Sequence, residues 1–244
     1  MRVAVDGWLQ RESDSDPHLV AYPSRRSFSL FTPTPLGLIW HWTAGIPRVG
    51  FADELARSIV TFDPSTDRAA SWHVLIAKDG ALYQSVPCNQ GAWHVGKPGV
   101  ITGKKWPNVN RVTLGCEIEN AGDLKMIGGA PYAWPYYVGG SLTRGPNPRL
   151  KIEGPTTTVA DVVYDSFTLA QEASARALIV TLRARYGWLR DAFALAHRDF
   201  DAPRKRDPGP IWMDTILPRL LDEVFGAPST PSAPIAPSTR GTNP

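Results

Sequence analysis

Cysteine is scarce in this chain: Cys88 and Cys116 are the only two among 244 residues, and they form no CxxC pair. Two thiols so far apart exclude a disulfide framework and a zinc knuckle. Both read as small semi-buried residues, with one bridge between them left open. Long apolar runs are missing as well. No stretch approaches the roughly 20 apolar residues of a membrane-spanning helix, and the opening MRVAVDGWLQRESDSDP lacks an apolar core of signal-peptide length. The expectations are synthesis in the cytoplasm without a signal peptide, and no membrane insertion. Strong charge of one sign is absent too. With 26 Lys+Arg against 23 Asp+Glu, the net charge is +3. That balance is compatible with an acidic polymeric target but far from a nucleic-acid footprint, so no nucleic-acid partner is expected.

What is present is the composition of an ordinary globular protein, 43% hydrophobic and 20% charged. One domain over residues 1–226 is expected, followed by a low-complexity Ala/Pro/Ser tail at 227–244. LGLIWHW at 36–42 reads as a buried strand entering a Thr-Ala-Gly turn. Phe51, Leu55, Ile59 and Phe62 recur at helical spacing. HVLIA, the turn Lys78-Asp79-Gly80 and ALYQSV make a hairpin. Residues 112–120 predict another strand, and 121–165, rich in Gly, Pro and Tyr, a long excursion with room for a small hairpin. Thr168 and Gln171 form a capping box for a helix that Gly187 stops. AFALA predicts a short strand running into His197, and Pro218 must kink or divide the last helix. Helices interspersed with strands imply an α/β fold with a central mixed β-sheet flanked by helices.

Among the five histidines, His41 and His197 each close an apolar strand, where α/β sheets commonly place their sites. Imidazole is a common zinc ligand. On this pattern alone, a shared metal site and two unrelated histidines stand level. Asp207 precedes Pro208-Gly209-Pro210 at the mouth of the final helix, the position of an N-cap. Lys205 lies two residues earlier, so in an extended segment both would face one way. Arg204 and Arg206 read as solvated. Glu117 and Glu119 also share a face of their strand. A buried pair of like charges is costly, so either one meets a cation or the face is exposed.

The set HWTAG, SWHVLIAKDG, GAWHVGK, LGCEIENAG and AHRDFDAPRKRDPGP resembles the zinc-dependent N-acetylmuramoyl-L-alanine amidases of the type-2 class, relatives of peptidoglycan-recognition proteins and phage endolysins. The resemblance runs over roughly residues 36–225 in motif order. It implies that His41, His197 and Asp207 hold Zn2+, that Glu117 handles the proton of the zinc-activated water, and that Lys205 steadies the oxyanion. The substrate-binding expectation comprises Trp72, Trp93, His94 and Asn120. Many relatives carry a tyrosine where this chain has Trp72, which has no phenol, so proton transfer falls to Glu117; His73 is expected to pack or hydrogen-bond. The implied partner is peptidoglycan or a soluble muropeptide, and a monomer is expected. Two settings follow: a lytic, endolysin-type enzyme, towards which the reading leans, or a cytoplasmic amidase recycling anhydro-muropeptides. A non-catalytic peptidoglycan-binding module and a structural protein with core histidines are the competing classes.

Overall fold

Every residue of the predicted strand at Leu38–Trp42 is buried, and the rest of the architecture is arranged around it. The computed structural model describes residues 1–30, 32, 34–45, 48–60, 70–133 and 151–227. In chain order it contains β1 (Arg2–Val3), β2 (Leu9–Gln10), β3 (Leu19–Ala21), β4 (Leu38–Trp42), α1 (Phe51–Val60), β5 (Val74–Ile76), β6 (Leu82–Gln84), β7 (Gly99–Ile101), β8 (Lys104–Trp106) and β9 (Leu114–Ile118). Then follow β10 (Asp123–Ile127), β11 (Ala130–Ala133), β12 (Thr156–Val159), β13 (Val162–Asp165), α2 (Leu169–Tyr186), β14 (Leu195–Ala196), α3 (Arg198–Asp201) and α4 (Leu217–Phe225).

The central sheet has six strands in the order β14-β4-β9-β5-β6-β3. It is mixed: β14, β4, β9 and β5 run parallel, and β6 turns back against β5 through the expected Asp-Gly hairpin. The registers set the two faces, since side chains alternate along each strand. Leu38, Trp40, Val74, Ile76, Leu114, Cys116 and Ile118 point into one core, where Leu178, Ile179 and Leu182 of α2 and Leu217, Leu220 and Leu221 of α4 cover them. Burial of apolar surface at about 25 cal/mol per Å2 makes this face the main source of stability. The other face carries Ile39, His41, Leu75 and Glu117. α1 covers part of it through Ala52 against Trp72 and Leu75.

The capping box forms as predicted: the Thr168 side chain accepts from the Gln171 amide, Gln171 reciprocates, and Gly187 ends α2 at φ 67°. Two readings of elements change. AFALA contracts to the two-residue β14, preceded by a 3-10 turn at Arg190–Phe193. The reason is that Phe193 turns into the core against Trp188, and its carbonyl accepts from Trp40 Nε1. The excursion contributes a four-stranded antiparallel sheet, β11-β10-β13-β12, and residues 134–150 lie outside the described residues. The last helix is divided as Pro218 requires: a π-helical turn at Ile211–Ile216 leads into α4. Phe62 and the tail from 228 onward also lie outside the described residues. Cys88 and Cys116 are fully buried rather than semi-buried, and free. Burial pushes the Cys88 thiol up to about 12, which leaves it an inert core residue.

Candidate metal centre and cleft

Three adjacent parallel strands deliver the site in one row. Ala196 pairs with Trp40, and the next residue, His197, donates its amide to the Trp40 carbonyl at 3.3 Å. His41 and Glu117 are Cα partners across β4 and β9. Side chains at paired positions of parallel strands project to the same face, so two imidazoles and a carboxylate meet where the strands end. Asp207 arrives from the loop after α3. Its carbonyl accepts from the Arg198 amide at 3.2 Å, which anchors that loop beside His197.

The result is a compact triangle. His41 Nδ1 lies 3.0 Å from His197 Nδ1 and 3.2 Å from Asp207 Oδ2, and His197 Nδ1 lies 3.0 Å from Asp207 Oδ2. All three residues are buried. Burial drives His41 down to about 4, against the opposing pull of Asp207. Burial alone would raise Asp207, but the His197 and His41 rings against its Oδ2 reverse that and hold its carboxyl well below the usual carboxylate range. Neutral imidazoles and an ionised carboxylate are the forms that bind metal. The 3.0–3.2 Å spacing is a little tighter than the about 3.3–3.6 Å that bonds of about 2.0–2.2 Å give between ligand atoms of a tetrahedral centre, so the side chains would part by roughly a few tenths of an ångström to admit an ion. Three such atoms converging in a buried space could hold a metal ion among them.

Beside the triangle is a cavity of about 830 Å3, lined among others by Trp42, Thr43, Trp72, Glu117, Lys205 and Asp207. Glu117 Oε2 is shielded from solvent and has no hydrogen-bond partner among the described residues. Burial raises its proton affinity well above the ordinary value; Asp207 adds to the rise and Lys205 opposes it. The expected alternation of Lys205 and Asp207 onto one face holds to the extent that both line this cavity.

A family model described as N-acetylmuramoyl-L-alanine amidase matches residues 32–210. The chain belongs to the N-acetylmuramoyl-L-alanine amidase family.

Solved structures carry the same fold. An AmpD derivative is 22% identical at a TM-score of 0.53, over 88% of this chain and 97% of that one. AmiD from E. coli, an N-acetylmuramyl-L-alanine amidase in complex with anhydro-N-acetylmuramic acid-L-Ala-D-gamma-Glu-L-Lys, is 21% identical at 0.50, over 86% of this chain and 63% of that one. A mutant endolysin from Bacillus subtilis is 19% identical at 0.50, over 85% and 99%. A comparison with curated proteins finds no match.

Within this amidase, the residues expected to bind substrate separate. Trp72 is buried and lines the cavity. Trp93 is 44% exposed, with its ring 4.6 Å from that of Phe28. His94 and Asn120 need correction. His94 is buried behind His41, its Nδ1 3.1 Å from His41 Nε2. Asn120 is fully buried and committed: Nδ2 donates to the Asp165 carbonyl and Oδ1 accepts from the Gly122 amide. Neither side chain has a free polar atom to offer a substrate. Glu117 and Glu119 do not share one site. β9 ends at Ile118, and Glu119 turns to accept from the Lys78 amide and line a different cavity.

The sequence reading passed over Trp42, which walls the cavity. Gly122 and Gly209 make room for it: both have positive φ, and a Cβ on either would lie under 3.0 Å from the Trp42 ring. A glycine that closes DPG just after a candidate ligand was the available signal. His73 is structural, as expected from the sequence. Its Nδ1 accepts from the Gly115 amide, and its Nε2–H donates to the Gln90 carbonyl, both at 2.9 Å.

Proposed function

We propose that this amidase is zinc-dependent, that it cleaves the amide between N-acetylmuramic acid and L-alanine, and that it acts as a lytic enzyme on intact wall after synthesis in the cytoplasm. The observation that carries the zinc reading is the triangle of His41 Nδ1, His197 Nδ1 and Asp207 Oδ2 at 3.0–3.2 Å, set beside the cavity that Glu117 and Lys205 line. Zinc held there supplies a Lewis acid for the scissile carbonyl and lowers the pKa of a water molecule to about 7.

This chain's own groups do the rest. Glu117 takes a proton from the attacking water and returns it to the leaving amine as the C–N bond breaks. Its raised proton affinity suits that exchange, because a group that holds a proton at moderate pH can also release it. The Lys205 ammonium faces the oxygen on which negative charge develops. Trp42 and Trp72 wall the cavity and give it an apolar side.

The lytic setting draws on the cavity's outer lip. Arg204 and Arg206 line it with side chains 60% and 80% exposed, paired with Asp201 and Asp123; a wall polymer could compete for these exposed guanidinium groups, since solvent-exposed ion pairs are weak. The test compares release of free amino groups from intact sacculi and from soluble anhydro-muropeptides, with chelator and after zinc is restored. Zinc-restorable release from sacculi is the expected result. Release from soluble muropeptides alone would assign recycling instead, and wall binding with no amine release in any arm would make the chain a binding module.

A further inference from the structure

Thr113 Oγ1 lies 2.8 Å from the Val109 carbonyl. A carbonyl can only accept, so the hydroxyl proton points at Val109 and the oxygen is left as an acceptor for its other neighbour. That neighbour is His94 Nε2 at 3.4 Å, which must therefore carry a hydrogen. His94 is buried with no acidic side chain against it, so its ring is neutral and Nδ1 is left with a lone pair. His94 Nδ1 is 3.1 Å from His41 Nε2, and that nitrogen must in turn be the donor. His41 Nδ1 then has no hydrogen, and its lone pair points into the triangle with His197 and Asp207. One backbone carbonyl fixes the direction of every proton along the chain.

We infer that His94 is a positioning residue: by accepting from His41 Nε2–H it locks His41 in the single tautomer and ring orientation that turns Nδ1 towards the metal. The inference deepens the zinc reading and rests on it. The local backbone is shaped for this contact. A Cβ on Gly115 would lie 2.6 Å from His94 Cγ, so glycine at that point of β9 is what lets the second imidazole sit behind the first. His41 alone receives this support. His197 Nε2 is buried without a partner among the described residues, and what anchors this residue from behind is the backbone bond to Trp40. The two imidazole ligands are therefore held by different means, and a change at His94 acts on one of them.

The test reads the tautomer first. In the metal-free full chain with 15N-labelled histidine, long-range 1H–15N correlation is expected to show His41 with its hydrogen on Nε2 and none on Nδ1. A His41 ring protonated on Nδ1 overturns the inference, whether or not the chain is an amidase. Zinc affinity, measured by competition with a chromophoric chelator, gives the second readout. Losing an outer partner of a ligand histidine typically weakens metal binding by about 10- to 100-fold, so His94→Leu should lose that much. His94→Asn, whose Oδ1 offers an acceptor where Nδ1 was, should recover most of it. If His94→Leu binds zinc as the parent does, or if Asn and Leu behave alike, the side chain only fills space. Thr113→Val removes the acceptor that sets the direction with little change in volume, and keeps the question open to measurement if the His94 variants fail to fold. It should give a mixture of His41 tautomers, and an unchanged single tautomer would refute the chain. Failure of the amidase reading would show separately, as intact zinc binding without amine release.

Discussion

His41 and Glu117 are Cα partners on adjacent parallel strands, so the ligand of the proposed metal centre and the proposed proton carrier are fixed to each other by sheet register rather than by a loop. A one-residue slip of β9 would send Glu117 to the face opposite His41. Replacing Glu117 by Gln removes the proton carrier and leaves register, volume and triangle in place. Glu117→Gln should keep wild-type zinc content and circular dichroism while kcat falls about 100- to 10,000-fold, the usual contribution of a general acid–base group. Metal analysis and steady-state amine release on one preparation check this. A variant that turns over at the parental rate removes Glu117 from the mechanism.

Lys205 acts on Glu117 as well as on the oxyanion. Its positive charge opposes the rise that burial and Asp207 impose on the Glu117 carboxyl. Removing it should raise the proton affinity of Glu117 further. A base works only when deprotonated, so the acid limb of the rate profile should move to higher pH in Lys205→Met. The plateau should also fall by about 100- to 1,000-fold, as when an oxyanion stabiliser is lost. A full pH profile of kcat/KM separates the effects. A lowered plateau with an unmoved acid limb would mean that Lys205 does not sense Glu117.

Much of this arrangement was legible in the chain. β4 stands out because five consecutive buried residues make an apolar run. The hairpin announces itself through Asp79-Gly80, and α2 through Thr168 and Gln171. Alternation along β9 set Glu117 apart from Cys116 and Ile118, but that its side is the one His41 occupies follows only from the sheet register. The failures share a physical cause: what decides them lies far away in sequence. Asn120 looks like a cleft residue until Asp165 claims its amide. His94 looks like part of a groove until the cradle at Gly115 is seen. β3 pairs with β6 at the sheet edge, in a region where the Gln84 side chain accepts from the Leu9 amide across 75 residues. Local periodicity carries no trace of such a bond. The hairpin of β7 and β8 was missed differently. Its turn, Thr102 at φ 50° and Gly103 at 77°, carries the positive φ of a tight hairpin, but the strands are too short to show alternation.

A structural role for Asn120 can be measured against a substrate-binding one. Asn120→Ala strips a partner from the Asp165 carbonyl and another from the Gly122 amide, at a position fully buried. Leaving buried polar groups unpaired costs about 1–3 kcal/mol each, so the variant should lose about 2–4 kcal/mol of unfolding free energy. Its KM for muropeptide, measured well below the new melting temperature, should stay within about twofold of the parent, since an unchanged cleft leaves binding energy nearly unchanged. A large rise in KM with unchanged stability would return Asn120 to the substrate.

His73 should make the fold sensitive to acid. Its two bonds require the neutral ring, because Nδ1 accepts from the Gly115 amide while Nε2–H donates to the Gln90 carbonyl. A second proton on the ring would face an N–H donor. Burial accordingly lowers the group from 6.5 to about 4. The folded value lies below the unfolded one, so the unfolded chain takes up the proton first as pH falls. The stabilising contribution is whole above about pH 6.5 and is lost on the way down to about pH 4, amounting to about 2–3 kcal/mol by pH 4.5. His41 has a similar shift in the metal-free chain, so total acid sensitivity does not isolate His73. His73→Asn does, since its Oδ1 can still accept from the Gly115 amide and it has no proton to gain. Urea unfolding of the metal-free parent and variant at pH 7 and pH 4.5 should show the variant less stable at the higher pH, yet losing about 2–3 kcal/mol less between the two. Equal losses in both chains would mean that the ring titrates normally inside the fold, and that its bonds to Gly115 and Gln90 do not hold it neutral.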